Sequence, residues 1–349
     1  MSTAIGRKPT SSVSSPRRLK LGAVLGGLVG LVLAVWLLKS YGVLQIFAAL
    51  VRVGWLGMVA LILFHLPQMA FSALGWEVIS GGQGPRPRLA AYVLLRWIRE
   101  GVNNLLPLAQ IGGEFAAARL LQRRGVQLAS AIGSTIADLM LEMATQVLFT
   151  VLGVVLLVQL VGHTQVSELV TRGLLIAALG VAVAFAALWF GLAAVIERAV
   201  MNLGRSLGWP ATARIGGLHA ALVGCFRSPG RIALASLWHL VSWLLGGIEV
   251  CLALHFFGRD VGIGPGMIIE SLGQAAKALG FSVPAAIGVQ EGGYVVVCGA
   301  LGIPADVAIA LSLVKRLREV VLGIPGLILW HRSEAQPAWS LTDTPGGNR

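Results

Sequence analysis

Of the chain's 349 residues, 56% are hydrophobic and 12% charged, and the mean hydropathy is +0.82, so it carries more apolar surface than a water-soluble domain of this length buries. The net charge of +12 is dispersed between apolar segments and does not form a continuous basic face with interleaved aromatics, which excludes a nucleic-acid partner and fits the loops of a polytopic membrane protein. Cys225, Cys251 and Cys298 lie far apart without CxxC spacing, so neither a zinc site nor a disulfide framework is expected, and they read as small apolar residues.

Residues 1–20 are rich in Ser, Pro and Arg, carry five basic and no acidic residues, and read as a disordered cytoplasmic tail. Residues 21–38 are apolar and long enough to cross a hydrocarbon core of about 30 Å. No small-residue cleavage site follows, so this segment is expected to stay as an anchor. Gly22, Gly26 and Gly30 place small residues on one of its faces for close helix packing. Residues 41–53 predict a short interfacial helix and 54–79 a second span, which ends at a turn-rich segment followed by Arg86 and Arg88, marking a cytoplasmic end.

The next segment departs from this pattern. A moderately apolar helix over 89–106 breaks at residues 107–113 and resumes briefly before Gln122-Arg123-Arg124-Gly125, each arm being short for a full crossing. Two half-length arms around a Pro/Gly break predict a re-entrant hairpin. Spans follow at 126–160 and about 170–196. A basic stretch at 197–231 is expected to lie on the cytoplasmic surface, and 232–257 crosses again. A second hairpin is predicted from 265–280, a break at 281–288 and 289–301. The last span covers about 305–330 and leads to a cytoplasmic tail at 333–349. The expected fold is an all-α integral membrane protein of about six transmembrane helices and two re-entrant hairpins, with both termini cytoplasmic and its membrane domain over 21–332.

The two broken segments correspond at one displacement. Adding 177 takes Pro107 to Pro284, Glu114 to Glu291, Gly125 to Gly302 and Glu142 to Glu319, while Asp138 falls on Lys315. The first hairpin returns to a loop with Arg119, Arg123 and Arg124, whereas the second returns to an uncharged one. The halves, about 89–160 and 265–332, are therefore expected to be inverted, a recurrent transporter design with a midplane site.

Candidate site residues follow from the breaks and from charge inside apolar spans. At each break the second arm opens with backbone N–H groups that lack helical partners, near Pro107, Gly112, Gly113 and Glu114 and near Pro284, Gly288 and Glu291. Two readings stand: a lipid phosphate or polar head docks there, or the two glutamates satisfy those donors themselves. Asp138 and Glu142 share a helical face in one span, and Lys315, Arg318 and Glu319 cluster in another. Charges at that depth are costly, so Asp138 or Glu142 is expected to pair with Lys315 or Arg318. Arg96, Arg99, Glu100, Asn103 and Asn104 on the first arm, with Glu270, Gln274 and Lys277 on the second, read as walls of a polar cavity. His65, His239 and His255 stand singly without ligand spacing and read as hydrogen-bonded packing residues, not metal ligands. No nucleophile motif, P-loop or dinucleotide fingerprint occurs, and neither enzymatic activity nor a cofactor is expected.

Gly112-Gly113-Glu114, Ala118-Arg119-Leu120-Leu121-Gln122-Arg123-Arg124-Gly125 and Pro284-Ala285-Ala286-Ile287-Gly288-Val289-Gln290-Glu291 resemble the flippase-like membrane domain of lysylphosphatidylglycerol synthases and its stand-alone relatives. Within that superfamily, Gln290-Glu291-Gly292-Gly293-Tyr294 and Leu313-Val314-Lys315-Arg316-Leu317-Arg318-Glu319 look most like the hopanoid-biosynthesis-associated HpnL family. The resemblance implies lipid translocation in the bacterial inner membrane, with hopanoids as the associated lipid class and a phospholipid or polyprenyl phosphate as alternatives. The expected partners are that lipid and lipid-biosynthetic enzymes. Only a short tail follows Trp330, so the aminoacyl-transfer domain of true synthases is not expected. Ala285-Ala286 stands where the superfamily has Gly-Gly. The rival readings are an intramembrane lipid-modifying enzyme with paired carboxylates as acid and base, and a non-transporting scaffold for biosynthetic enzymes.

Overall fold

The computed structural model describes residues 43–82, 87–106, 112–162, 165–187, 217–279 and 288–335, with a few positions between 190 and 198. The tail at 1–20, the span at 21–38 with its three glycines, Pro107, Pro284, Ala285, Ala286 and most of 188–216 lie outside the described residues. Those described are helical, with no strand among them.

Among the described residues ten helices follow in chain order: α1 Val43–Ile79, α2 Leu89–Leu105, α3 Gly112–Arg123, α4 Leu128–Val161, α5 Gln165–Ala187, α6 Leu218–Cys225, α7 Pro229–Phe256, α8 Ile263–Leu279, α9 Val289–Ala300 and α10 Ala305–Ala335. Among the described residues three helices are long and apolar enough to cross a membrane: Val51–Ile79, Leu128–Val161 and Pro229–Phe256. At 31 residues, α10 reaches about 46 Å, enough to cross, but it carries Lys315, Arg316, Arg318 and Glu319 at mid-length. Leu148, Leu152 and Val155 of α4, Leu175 and Leu179 of α5 and Val321 and Ile324 of α10 are exposed, an apolar surface suited to lipid and not to water.

The kink separating the first stretch of α1 from its span lies at Gly54, whose φ of 69° is a conformation that side chains with a Cβ avoid. Each broken segment is a pair of helices of 17 and 12 residues, α2 with α3 and α8 with α9. The displacement of 177 carries α3 onto α9 end to end and the start of α4 onto the start of α10. It also carries Gly125 (φ 88°) onto Gly302 (φ 72°), both just after a hairpin's second arm.

The apolar interior divides in two. One core joins Ala73, Trp76 and Ile79 from the end of α1 to Tyr92 and Ile98 of α2, Leu120 of α3, Ala137 and Leu141 of α4 and Ala235 of α7. The other joins Leu61 of α1, Leu157 of α4, Leu254 of α7, Ile268 and Leu272 of α8, Tyr294 of α9 and Leu311 of α10. The first hairpin thus packs at one end of the long helices and the second at the other. Polar residues fill the layer between.

The arms also cross over, since α2 packs against α10 and α8 against α4. The α2–α10 contact is backbone-close: a Cβ added to Gly101 would lie 2.9 Å from the Gly323 carbonyl oxygen, and one on Gly326 would lie 2.9 Å from that of Trp97. Without a hydrophobic driving force between helices in lipid, such close approach supplies the packing energy. Gly101→Leu is expected to force the pair apart and destabilise the protein by about 1–3 kcal/mol. Thermal unfolding in lipid nanodiscs measures this, and an unchanged midpoint would show that the contact has slack.

Candidate functional site

Positions 96, 99, 100 and 103 recur at spacings of three and four, which lines them on one face of α2. From that face Arg99 reaches three carboxylates. Its Nε donates to Glu114 Oε1 at 2.8 Å, Nη1 to Asp138 Oδ2 at 2.5 Å and Nη2 to Glu142 Oε2 at 2.9 Å. One turn earlier, Arg96 donates to both oxygens of Glu142, at 2.8 and 2.5 Å, and through Nε to Glu100 at 2.9 Å. A planar guanidinium suits this task because its donors form a fixed fork, and each of the three nitrogens of both forks meets a carboxylate. Asp138, fully buried, also lies 3.0 Å from His239 Nε2, while the other ring nitrogen of His239 is 3.4 Å from Ser72 Oγ.

A second cluster hangs on α7, α8 and α10. Glu249 accepts from Arg318 Nη1, from Gln68 Nε2 at 2.5 Å, and faces His65 Nδ1 at 3.3 Å. Glu270 accepts from Lys315 and from Gln274 at 2.8 Å. Lys277 donates to Glu319 at 2.7 Å and to Asn104 of α2 at 3.2 Å. Desolvating each of these ions costs several kcal/mol, so the pairs persist only because partners and hydrogen bonds offset that cost.

The expected pairing of Asp138 or Glu142 with Lys315 or Arg318 is not made. The cavity separates α4 from α10, and the hairpin arms bring nearer counter-charges, Arg96 and Arg99 for the first pair of acids and Glu270 for Lys315, while the span α7 brings Glu249 to Arg318.

Between the clusters lies a cavity of about 260 Å³. Its wall takes Arg96, Arg99, Glu100, Asn103 and Asn104 from α2 and Glu270, Gln274 and Lys277 from α8. Glu114, Glu142, Arg318 and Glu319 among the predicted site residues also line it. Asp138 and Lys315 sit one bond behind the wall through Arg99 and Glu270. Gly112 opens α3 and lies outside the lining, as do Gly113, Gly288 and Glu291.

The two helix starts are capped from within the protein. The Gly113 N–H donates to Asn103 Oδ1 at 2.7 Å, and the Gly288 N–H donates to Glu291 Oε2 at 2.6 Å. Glu291 further accepts from Ser312 and Arg316, away from the cavity. Gly288 has φ 82°, which turns the chain into α9.

Sequence reasoning did not assign Glu249, Gln68 or Ser72, and it left His65 and His239 as packing residues although both line the cavity. Glu249 carried a usable signal, as the single acid in the apolar helix α7. His255, by contrast, is exposed and pairs with Asp260. All three cysteines are free.

Arg318 differs from the other two cavity arginines. It is 5% exposed, lines the cavity, and its Nε is buried without a hydrogen-bond partner. An unmet buried guanidinium donor is rare in folded proteins, and here it belongs to a residue of the cavity wall.

No curated protein and no solved structure matches this chain. The family described as the lysylphosphatidylglycerol synthase TM region has a model that matches residues 23–326, which include both hairpins and every cavity-lining residue, and the chain therefore belongs to this family of membrane proteins in lipid metabolism.

Proposed function

We propose that the protein moves a lipid between the leaflets of a bacterial inner membrane, holding its head group in the cavity between two hairpins of an inverted repeat. One observation carries this reading: two matched helical hairpins pack in separate cores at opposite ends of the long helices, with a charged cavity between them. Access from either side then requires only that one hairpin and its core rock against the other. About 260 Å³ accommodates a head group and falls below the roughly 300–1,000 Å³ of sites that engulf a whole ligand, so acyl or ring-system tails would stay in the bilayer.

Charge supports the orientation. The end of the bundle holding the first hairpin carries Arg88, Arg119, Arg123, Arg124, Arg227, Arg231 and Arg332 against Glu77 and Glu334, whereas the other end has Arg52 and Arg259 against Asp260 and Asp306. The first end is then cytoplasmic, as are both termini. The substrate class is an anionic or polyhydroxylated head group that meets Arg318. The resemblance to the HpnL family favours a hopanoid, with a phospholipid or polyprenyl phosphate as the alternatives.

A second reading rests on Ser72 and His239 of the cavity wall and Asp138 behind it, which form a hydroxyl–imidazole–carboxylate series, the arrangement of an activated nucleophile. Against it, Arg99 already engages the same aspartate and neutralises the charge that would orient the base. Purified protein reconstituted in liposomes with fluorescent phosphatidylglycerol, polyprenyl phosphate or hopanoid separates the readings. Transport predicts a change in the sidedness of one of them at constant mass, and a mass change abolished by Ser72→Ala would establish the enzyme. Unchanged sidedness and mass, with biosynthetic enzymes recovered alongside the protein, would leave a scaffold.

A further inference from the structure

His65 has a carboxylate at each ring nitrogen: Glu249 Oε2 lies 3.3 Å from Nδ1 and Glu100 Oε2 lies 3.4 Å from Nε2. A neutral imidazole donates from one nitrogen and presents a lone pair at the other. Two ionised carboxylates on one ring therefore need one proton more than a neutral histidine supplies, whether the ring or a glutamate holds it.

The charge balance makes the same demand. Arg96, Arg99, Lys277, Lys315 and Arg318 are five cations set against the seven carboxylates of the two clusters. Including the neighbouring Arg316 and Glu291 leaves the deficit at two. His65 and His239 are the two histidines bonded to those carboxylates, and a low-dielectric interior disfavours leaving two negative charges uncompensated.

Position gives the proton a mechanical role. Glu100 belongs to the cluster on the first hairpin, through Arg96, and Glu249 to the cluster on α7 and α10, through Arg318. His65 on α1 joins them. The groups facing it are Glu100 of α2, Glu249 of α7 and Gln68 on its own helix, with Glu142 of α4 across the cavity. On α10 the nearby cations Arg318 and Lys315 are held by Glu249 and Glu270, so a proton at His65 depends on both of its glutamates staying close. Drawing the hairpin away from α7 removes one of the two acceptors and leaves the cations unopposed.

We propose that Glu100, His65 and Glu249 form a proton-binding site that clamps the two clusters together when loaded and empties as the cavity opens, making the proton the coupling ion of the lipid movement. The coupling rests on the transport reading above, whereas the site itself does not. Two measurements on the full chain separate them. In nanodiscs, side-chain NMR of isotope-labelled histidine and glutamate between pH 5 and 9 should show a protonation step shared by the three residues and absent from His65→Gln. Side chains whose protonation is constant across that range would overturn the site.

In proteoliposomes, the same three labelled lipids are followed under an acid-outside gradient of one pH unit. A gradient of that size supports up to about tenfold asymmetry between leaflets per coupled proton. The wild-type protein should build asymmetry, and His65→Gln should only equalise the leaflets. Movement that stays symmetric under the gradient in the wild type would overturn the coupling and leave transport standing. If no lipid moves at any pH, the transport reading and the coupling fall together, and the NMR titration still decides the proton site.

Discussion

Replacing Arg99 by leucine is expected to cost about 3–5 kcal/mol of stability, because it strands buried carboxylates in place of a paired network. Arg99 is 2% exposed and is held simultaneously by Glu114, Asp138 and Glu142. After its removal Glu142 keeps Arg96 and Asp138 keeps His239, but Glu114 retains only Asn103. Arg96→Leu should do less harm, since Glu142 then still holds Arg99. Adding Glu114→Gln to Arg99→Leu should recover part of the loss by removing one stranded charge, a coupling that a double-mutant cycle reads directly. Thermal midpoints in nanodiscs are the measurement. Equal midpoints for Arg99→Leu and wild type would mean that the network is not what holds the first hairpin.

Arg318→Gln is expected to act in the opposite manner, cutting lipid movement by about 10- to 100-fold while disturbing the fold less than Arg99→Leu does. A hydrogen bond to a charged group contributes about 1.5–3 kcal/mol, which corresponds to a loss of that order when a ligand anion loses its donor. The milder structural effect follows from what remains. Glu249 keeps Gln68 and faces His65, and the substitution also removes a buried donor that had no partner. The test pairs rates in proteoliposomes with thermal midpoints in nanodiscs. A variant that unfolds as readily as Arg99→Leu would make Arg318 structural, and one that transports at the wild-type rate would remove it from the head-group site.

The comparison of these two arginines shows where sequence reading reached its limit. Both are cations at helical spacing inside moderately apolar segments, and the sequence reading placed Arg99 in the wall of a polar cavity and Arg318 among the costly charges needing partners. Nothing in the spacing distinguishes Arg99, whose fork is filled by three acids, from Arg318, whose Nε faces none. That difference depends on α2 crossing α10 while α8 crosses α4, which puts the hairpin arms between the two spans and takes the acids of α4 away from the cations of α10. The sequence expectation paired α4 with α10 directly and so missed the arms as the counter-charge carriers.

Local chemistry alone determined a great deal here: the membrane solvent, from hydropathy; the helical arms and their breaks, from length and Pro/Gly punctuation; and the polar faces of α2 and α8, from spacings of three and four. These depend on neighbours within a turn or two of the chain, which a sequence displays. Tertiary structure alone decided which acid each cation meets, that His65 and His239 join the cavity wall with Glu249 behind it, and that two apolar cores leave a charged layer between them. Such pairings are made between residues 15 to more than 180 positions apart, and their choice is set by helix crossings that no local pattern encodes.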